Sequence, residues 1–248
     1  MGSTFTLSET TAAILAGGLG TRLRTAVGDR PKVLAEVKGR PFLAWLLEHL
    51  EGFGLKQVVL CTGFKAEEVE RTVGRSFGGL SILHSRESAP LGTGGALRQA
   101  LPFLRSGRIL VLNGDSFCDV DLEAFGAFHL ARRGRASLAL AHVKDARRFG
   151  RVRLDESDQI SEFAEKESAP GAGWINAGVY LFDRPLIEAL PAKMALSLER
   201  EILPMWIPQG LFGFKTTGRF LDIGTPESYA EAQGSLFHDN HTACAVPA

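Results

Sequence analysis

The stretch LAGGLGTRLRTAVGDRPK, residues 15–32, joins a cluster of glycines to a cluster of positive charges directly after a short apolar run. Glycine allows positive φ and lets the backbone approach a ligand closely, and its amides can converge on phosphate oxygens. Cations beside such amides favour a ligand with several negative charges. The stretch therefore predicts a site for a multiply charged anion, such as a triphosphate. Its candidate residues are Gly17, Gly18, Gly20, Arg22, Arg24, Arg30 and Lys32.

Two common phosphate-binding loops do not match this stretch. The dinucleotide fingerprint GxGxxG is satisfied at Gly18 and Gly20, but Leu23 stands where its third glycine belongs. The P-loop requires a Gly-Lys-Ser/Thr sequence, which does not occur in residues 15–32. A dehydrogenase is therefore disfavoured, and a tight turn or a solvated basic loop is the alternative to an anion site.

The composition sets the class of protein and excludes several partners. The 248 residues are 45% hydrophobic and 23% charged, as in ordinary globular proteins. Lys+Arg and Asp+Glu both number 28, so the zero net charge argues against nucleic acid as a main partner. No apolar run approaches the roughly 20 residues of a membrane span, and residues 1–10 lack the features of a signal peptide. Three widely spaced cysteines without a zinc pattern favour a reduced, cytoplasmic setting.

The order of apolar runs and helical patterns predicts the fold class. Strands are predicted over 12–16, 58–62, 81–84, 108–112 and 136–143, and helices over 41–53, 65–73, 93–101 and 122–133. This alternation is typical of an α/β protein with a Rossmann-like, mostly parallel central sheet flanked by helices. Ligands of such sheets bind at the carboxyl ends of the strands, where the glycine stretch begins.

The rhythm changes from about residue 150. The pattern predicts a hairpin within 151–166, a strand over 174–183, helices over 184–190 and 198–207, and two strands within 211–223. A last helix follows Thr225, its predicted N-cap. The second half is therefore expected to be a small β-rich elaboration of one domain, 11–237, between a flexible segment 1–10 and a flexible tail 238–248.

Two aspartates are placed to bind a metal ion. Asp115 ends the strand of ILVLNGD, and Asp222 stands where another strand meets a helix. Mg²⁺ bound to nucleotides takes one or two carboxylates together with phosphate and water oxygens. The alternative for Asp115 is a turn aspartate that accepts hydrogen bonds from its own loop. Asp119 and Asp121 are interpreted as surface or helix-capping residues.

Other polar residues stand in apolar surroundings or in glycine-rich segments. Asn176 lies in an apolar strand and needs hydrogen-bond partners, while Gly178 beside it suggests close approach of a ligand or another backbone. A bulge with a satisfied asparagine is the alternative there. Thr93 is a candidate cap of the helix that follows it. His84, His129 and His142 are interpreted as structural or exposed, and no Ser-His-Asp or Cys-His arrangement is apparent.

Residues 15–42, LAGGLGTRLRTAVGDRPKVLAEVKGRPF, resemble the signature of the sugar-1-phosphate nucleotidyltransferases. Six further blocks match that family in its order. They are PLGTGGAL (90–97), VLNGDSF (111–117), FAEK (163–166), INAGVYLF (175–182), SLERE (197–201) and FLDIGTPESY (220–229). Within the family, PLGTGGAL, INAGVY and the short chain are most similar to the D-glycero-D-manno-heptose 1-phosphate guanylyltransferases.

The resemblance implies a role for each matching residue. The implied nucleotide-binding residues are Leu15, Ala16, Gly17, Gly18, Gly20, Thr21, Arg22, Glu87, Gly92, Thr93 and Gly114. Arg22, Lys32 and Asp115 are implied as catalytic, with Mg²⁺ held by Asp115 and Asp222. The sugar phosphate is expected at Glu165, Lys166, Asn176, Gly178 and Glu199, with Glu201 as the alternative to Glu199. The nucleotide-binding part then covers about 11–145, and the sugar-binding part about 146–237.

The expected activity is nucleotidyl transfer from an NTP to a sugar 1-phosphate, with release of pyrophosphate. GTP is favoured because a carboxylate, here Glu87, accepts from guanine N1–H and N2–H₂ together, whereas uracil offers one N3–H. D-glycero-α-D-manno-heptose 1-phosphate is the favoured acceptor, which implies bacterial cell-surface glycan synthesis. The alternatives are uridylyl or other nucleotidyl transfer to N-acetylmuramate, mannose or glucose 1-phosphate, and a non-catalytic nucleotide-binding regulatory subunit. A homo-oligomer is possible.

Overall fold

The computed structural model describes residues 5–149, 151–164 and 171–234. Its strands are β1 Thr11–Ala16, β2 Glu36–Val37, β3 Arg40–Pro41, β4 Gln57–Thr62, β5 Ser76–Phe77, β6 Leu80–Arg86, β7 Arg108–Asn113, β8 Ser116–Cys118, β9 Ala136–Val143, β10 Arg151–Leu154, β11 Ile160–Ala164, β12 Gly173–Asp183, β13 Leu211–Thr216 and β14 Phe220–Asp222. Its α-helices are α1 Arg24–Val27, α2 Phe42–Gly52, α3 Ala66–Val73, α4 Gly92–Ala100, α5 Leu122–Arg132, α6 Arg184–Glu188, α7 Leu203–Trp206 and α8 Pro226–Gly234.

The predicted α/β fold is confirmed. Eight strands form one sheet in the order β13-β9-β12-β7-β1-β4-β6-β5. The adjacent strands β7, β1, β4 and β6 run parallel to one another, and β13 runs parallel to β9. Strand β12, from the second half of the chain, lies between β7 and β9 and is antiparallel to both. The second half therefore completes the main sheet as well as elaborating it.

The parallel strands are continuous apolar runs because both faces of the sheet are covered. Ile14 and Leu112 pack in the apolar cluster on one face, while Ala13 and Val111 pack in the cluster on the other. Such two-sided burial is typical of parallel sheets with helices on both faces. Helix α2 packs on the first face through Leu46 and its neighbours.

Two small ribbons lie outside the main sheet. Strands β10 and β11 form the predicted hairpin. The two strands predicted within 211–223 exist, but they do not pair with each other: β13 joins the main sheet beside β9, and β14 pairs antiparallel with β8. This second ribbon brings the chain around residue 222 back to the end of β7.

The helix predicted over 198–207 is interrupted. The segment is a π-helical turn, Leu198–Ile202, followed by α7 and a 3₁₀ turn, Ile207–Gln209. Pro204 and Pro208 lack the amide hydrogens that a continuous helix needs. Two predicted caps are confirmed: the Ala124 amide donates to Asp121 Oδ1 at 2.9 Å, and the Ser228 amide donates to Thr225 Oγ1 at 3.3 Å. Every helix in the described ranges is too short or too polar to cross a lipid bilayer.

Strand β12 contains a bulge at Gly178. Its register against β9 shifts between Asn176 and Tyr180, and Gly178 has a φ of +74°. A Cβ at Gly178 would lie 2.5 Å from Ser116 Oγ and 3.0 Å from Asn113 Cβ. The close approach expected at this glycine is therefore made by the chain's own residues.

We expect Gly178→Ala to lower the free energy of unfolding by about 2 kcal/mol or more, because positive φ and a steric clash both oppose a Cβ there. Gly107→Ala is the matched control, since a Cβ there meets nothing within 4 Å. Urea denaturation of both variants gives the comparison. Equal unfolding midpoints for the two would contradict this description of the bulge.

Candidate active site

A cleft of about 500 Å³ opens at the carboxyl ends of the parallel strands. The residues that directly follow β1, β4, β6 and β7 all line it: Gly17, Gly63, Glu87 and Gly114. Helix α4 and the π-helical turn at Leu198–Ile202 form its far side through Thr93 and Glu199. The cleft is thus where an open α/β sheet binds its ligands.

Most of the candidate residues meet in this cleft. Those that line it are Leu15, Ala16, Gly17, Gly18, Lys32, Glu87, Gly92, Thr93, Gly114, Asp115 and Glu199. Gly20, Thr21, Arg22, Asn176, Gly178 and Asp222 are described but are not among its lining residues. Glu165 and Lys166 lie outside the described residues.

Several lining residues are absent from the sequence-based candidates. Phe64 is the largest of these, and the others include Asn113 and the consecutive residues Ser88, Ala89 and Pro90. Gly63 and Phe64 follow directly after β4, so the rule that ligands bind at strand carboxyl ends could have identified them. Asn113 is the last residue of β7, two positions before Asp115, so the same rule could have identified it.

The glycine loop, residues 17–31, begins in close contact with its neighbours. A Cβ at Gly17 would collide with Glu87 Oε1 and lie 3.4 Å from the Gly63 amide nitrogen. The Phe64 amide donates to the Gly17 carbonyl at 3.4 Å. A glycine at position 17 therefore lets three strand ends come together at the floor of the cleft.

Lys32 and Asp115 form an ion pair at the cleft. The Lys32 Nζ lies 2.6 Å from Asp115 Oδ2, and their side chains are 12% and 44% exposed. Lys32 comes from the end of the glycine loop, and Asp115 from the turn after β7. The cleft thus holds adjacent groups suited to a phosphate oxygen and to a cation, each neutralised by the other.

The β8–β14 ribbon brings Asp222 beside Asp115. Asp222 pairs with Ser116 in the ribbon, and the Ile223 amide donates to the Asp115 carbonyl at 3.0 Å. The Asp222 carboxylate is 16% exposed and accepts hydrogen bonds of 3.0 Å from Arg148, Ser228 Oγ and the Gly224 amide.

Two carboxylates, one from the turn after β7 and one from the end of β14, provide the oxygen ligands that a divalent cation bound to a nucleotide prefers. Asp115 and Asp222 therefore fit such an ion. Within the described ranges no cluster of three or more His, Cys, Asp or Glu side chains forms a larger metal site. The remaining ligands would have to come from phosphates and water.

Arg24 and Arg30 have partners within the protein. Arg30 pairs with Glu36 at 2.8 Å. The Arg24 guanidinium lies 4.9 Å from the centre of the Phe64 ring and 3.9 Å from Asp29, which also pairs with Lys65 at 2.8 Å. The Arg24–Phe64 and Asp29–Lys65 contacts connect the glycine loop to the segment between β4 and α3. Arg22 is exposed on the same loop.

Glu87 is a half-buried acid at the cleft. Its Oε2 accepts a hydrogen bond of 2.7 Å from the Leu91 amide. Burial raises the pKa of the Glu87 carboxyl above its ordinary value. A carboxylate in this position, next to Gly17, can accept hydrogen bonds from a ligand when it is ionised.

Thr93 does not cap α4, contrary to the prediction. The helix begins at Gly92, and the Thr93 hydroxyl donates instead to Glu199 Oε2 at 2.8 Å and accepts from the Leu198 amide at 2.7 Å. Contacts with residues about a hundred positions away in the sequence have thus replaced the local capping contact. The alternative acid, Glu201, is exposed and accepts from the Ser197 amide at 2.7 Å, so Glu199 is the acid that lines the cleft.

A glycine loop at the end of β1, a lysine–carboxylate pair and a second aspartate nearby define a nucleotide-binding α/β domain. Residues 11–238 match the model of the Nucleotidyl transferase family, and the chain belongs to that family. The family resemblance of the sequence blocks is thereby confirmed.

Two of its relatives are guanylyltransferases. The chain is 35% identical to the D-glycero-alpha-D-manno-heptose 1-phosphate guanylyltransferase of Aneurinibacillus thermoaerophilus, over 92% of this chain and 98% of that protein. It is 36% identical to the mannose-1-phosphate guanylyltransferase of Mycobacterium tuberculosis, over 91% of this chain and 64% of that protein. HddC from Yersinia pseudotuberculosis, crystallised with GMP-PN, superposes with a TM-score of 0.82 at 33% identity and covers 91% of this chain and 98% of its own.

Proposed function

We propose that the protein transfers a guanylyl group from GTP to a sugar 1-phosphate, with D-glycero-α-D-manno-heptose 1-phosphate as the favoured acceptor. The observation that carries the proposal is the Lys32–Asp115 pair, 2.6 Å apart, beside the glycine loop in a cleft at the strand ends. Support for the acceptor comes from the heptose 1-phosphate guanylyltransferase that matches this chain along 98% of its own length. GTP is a cytoplasmic metabolite, so the proposal places the reaction in the cytoplasm.

The reaction needs positioning and charge neutralisation more than acid–base chemistry. An oxygen of the sugar phosphate forms a bond to the α-phosphorus of GTP, the bond to the bridging oxygen breaks, and pyrophosphate leaves with both electrons of that bond. The nucleophile is already an anion at neutral pH, because the second pKa of a phosphate monoester is about 6. The protein must bring two polyanions together in line and stabilise the charge on pyrophosphate.

The candidate residues, in the cleft and elsewhere, divide these tasks. The glycine loop amides and Arg22 bind the triphosphate, and Lys32 assists at the α-phosphate. Asp115 and Asp222 would hold Mg²⁺, which would neutralise charge on the phosphates. Lys166, with Glu165, binds the sugar phosphate, and Asn176 and Glu199 bind the sugar, while Gly178 is required by the bulge of β12. The internal hydrogen bonds of Asn176 leave it a smaller role in binding than Glu199, which lines the cleft.

Glu87 reads the base. It lies beside Gly17 in the cleft, and its carboxylate can accept from guanine N1–H and N2–H₂ together. The crystallisation of HddC with GMP-PN supports a guanine nucleotide in this fold. Mannose 1-phosphate is the second candidate acceptor, because a mannose-1-phosphate guanylyltransferase is equally similar in sequence.

Pyrophosphate release tests the proposed reaction. We expect release with GTP and a manno-configured heptose 1-phosphate, and little release with UTP, ATP or CTP. Asp115→Asn should lower turnover by about a hundredfold or more, since a charge at the reacting phosphates is lost. Asp119→Asn, the same change at a neighbouring exposed aspartate, is the matched control. Release with UTP but not GTP would overturn the base assignment, and near-normal turnover of Asp115→Asn at saturating Mg²⁺ would overturn the metal assignment.

The pH dependence of nucleotide binding tests the role of Glu87. Because burial raises the pKa of this carboxyl, it becomes protonated at a higher pH than a free glutamate and then loses an acceptor for guanine. We expect the affinity for a non-hydrolysable GTP analogue to fall more steeply in the wild type than in Glu87→Gln as the pH is lowered from neutrality through the raised pKa of this carboxyl. Calorimetry measures the affinity of both proteins at each pH. The phosphates of the analogue titrate equally in the two experiments, so their contribution cancels in the comparison. Parallel pH profiles would show that Glu87 does not contact the base.

A further inference from the structure

Tyr180 is a fully buried tyrosine whose hydroxyl lies between two asparagines. Asn176 Nδ2 donates to it at 2.9 Å, and Asn113 Nδ2 at 3.4 Å. The Asn176 amide is fixed in this orientation because its Oδ1 accepts from the Gly178 amide at 2.9 Å. Amide nitrogens only donate, so the hydroxyl oxygen is the acceptor in both contacts.

The single proton of that hydroxyl is therefore directed elsewhere. The Tyr180 hydroxyl donates a hydrogen bond to Glu199 Oε1, which lies 3.4 Å from the tyrosine oxygen. Burial and the neighbouring Glu199 charge raise the pKa of Tyr180 well above its ordinary value, so the hydroxyl keeps its proton. Tyr180 thus acts as a fixed donor to the acid that lines the cleft.

Two further hydroxyls hold the other oxygen of Glu199. Thr93 Oγ1 donates to Oε2 at 2.8 Å, and its own acceptor site is filled by the Leu198 amide. Ser197 Oγ lies 3.5 Å from the same oxygen. Three side-chain hydroxyls, on β12, on α4 and at the start of the π-helical turn, therefore set the orientation of one carboxylate.

Acceptor capacity remains on the cleft side. A carboxylate offers about four lone-pair sites, of which three are used here. Asn113 also lines the cleft, and its Oδ1 is buried without a hydrogen-bond partner among the described residues. Glu199 thus keeps an unused acceptor site and Asn113 an unpaired, buried one in the wall of the cleft, and both side chains are hydrogen-bonded to the same tyrosine. A ligand with two hydroxyl donors satisfies them, and a sugar provides such a pair.

We propose that Tyr180 is a positioning residue that fixes Glu199 and Asn113 as paired acceptors for two hydroxyls of the sugar 1-phosphate. The inference rests on the proposed function. It assigns recognition of the sugar's hydroxyl pattern to a buried residue that does not touch the substrate, and it makes the discrimination between acceptors depend on this hydroxyl.

Tyr180→Phe removes the hydroxyl and keeps the ring that stacks on Phe182 at 5.5 Å. We expect the KM for D-glycero-α-D-manno-heptose 1-phosphate to rise about tenfold or more, as for loss of a hydrogen bond to a charged group, while the KM for GTP changes by less than about twofold. The penalty should disappear with the singly deoxygenated analogue that lacks the hydroxyl bound by Glu199. Tyr229→Phe, which removes the other tyrosine hydroxyl of the chain from its contact with the Glu36 carbonyl, should leave both KM values unchanged.

The outcomes separate this inference from the proposed function. A wild type that releases no pyrophosphate with any sugar 1-phosphate overturns the proposed function and this inference with it. An active wild type with Tyr180→Phe unchanged, or equally impaired with every deoxygenated analogue, overturns the positioning role alone. If thermal unfolding shows that Tyr180→Phe does not fold, Ser197→Ala, which removes another hydroxyl donor to Glu199, is judged by the same two KM values and the same analogues.

Discussion

The contact between the Lys32 ammonium and the Asp115 carboxylate, 2.6 Å apart, is the interaction on which the rest of the site depends. A cleft that collects polyanions must gather positive charge, and an unpaired cation in a half-buried position is costly. Asp115 removes that cost while the cleft is empty. The same Asp115 carboxylate is also a suitable oxygen ligand for a divalent cation. One pair therefore prepares the site for phosphate and for metal.

The same arrangement recurs at the second aspartate. Asp222 rests against Arg148, so both acids of the candidate metal site have a cationic partner in the protein. The fold makes this possible through the β8–β14 ribbon, which returns the chain to the end of β7. The scaffold beneath is a parallel sheet whose four strand ends deliver Gly17, Gly63, Glu87 and Gly114 to one cleft. Charges far apart in the sequence thus meet because strand ends meet.

Much of this could be predicted from the sequence, for physical reasons. Strands β1 and β7 are buried on both faces, so their sequences are continuous apolar runs that could be recognised. The glycine loop could likewise be placed at the end of β1, where it contributes to the cleft. Tertiary pairing left no comparable signal. The partner of β14 is β8, about a hundred residues away, and nothing in either strand specifies it. Threonine is a residue type that often caps helices, but the Thr93 hydroxyl donates to the distant Glu199 carboxylate instead.

Other differences have equally local causes. The apolar spacing of 198–207 predicts one helix, but Pro204 removes an amide hydrogen and the segment breaks into three turns. Tyr180 has the sequence signature of a core aromatic residue. The role of its hydroxyl becomes visible only in the fold, where Asn113 and Glu199 from two distant segments join Asn176 of the same strand around it. Hydrogen-bond direction, unlike apolar periodicity, is a property of the folded protein.

The central claim is that the Asp115 carboxylate interacts both with Lys32 and with a metal ion. Calorimetric measurement of the binding of a non-hydrolysable GTP analogue tests this claim most directly. Without divalent metal, Asp115→Asn should bind the analogue about fivefold or more tightly than the wild type, because Lys32 is released and a repelling carboxylate is gone. With saturating Mg²⁺, the order should reverse, since the wild type alone keeps both aspartates. Weaker binding by Asp115→Asn in both conditions, or an equal response of the two proteins to Mg²⁺, would contradict the account.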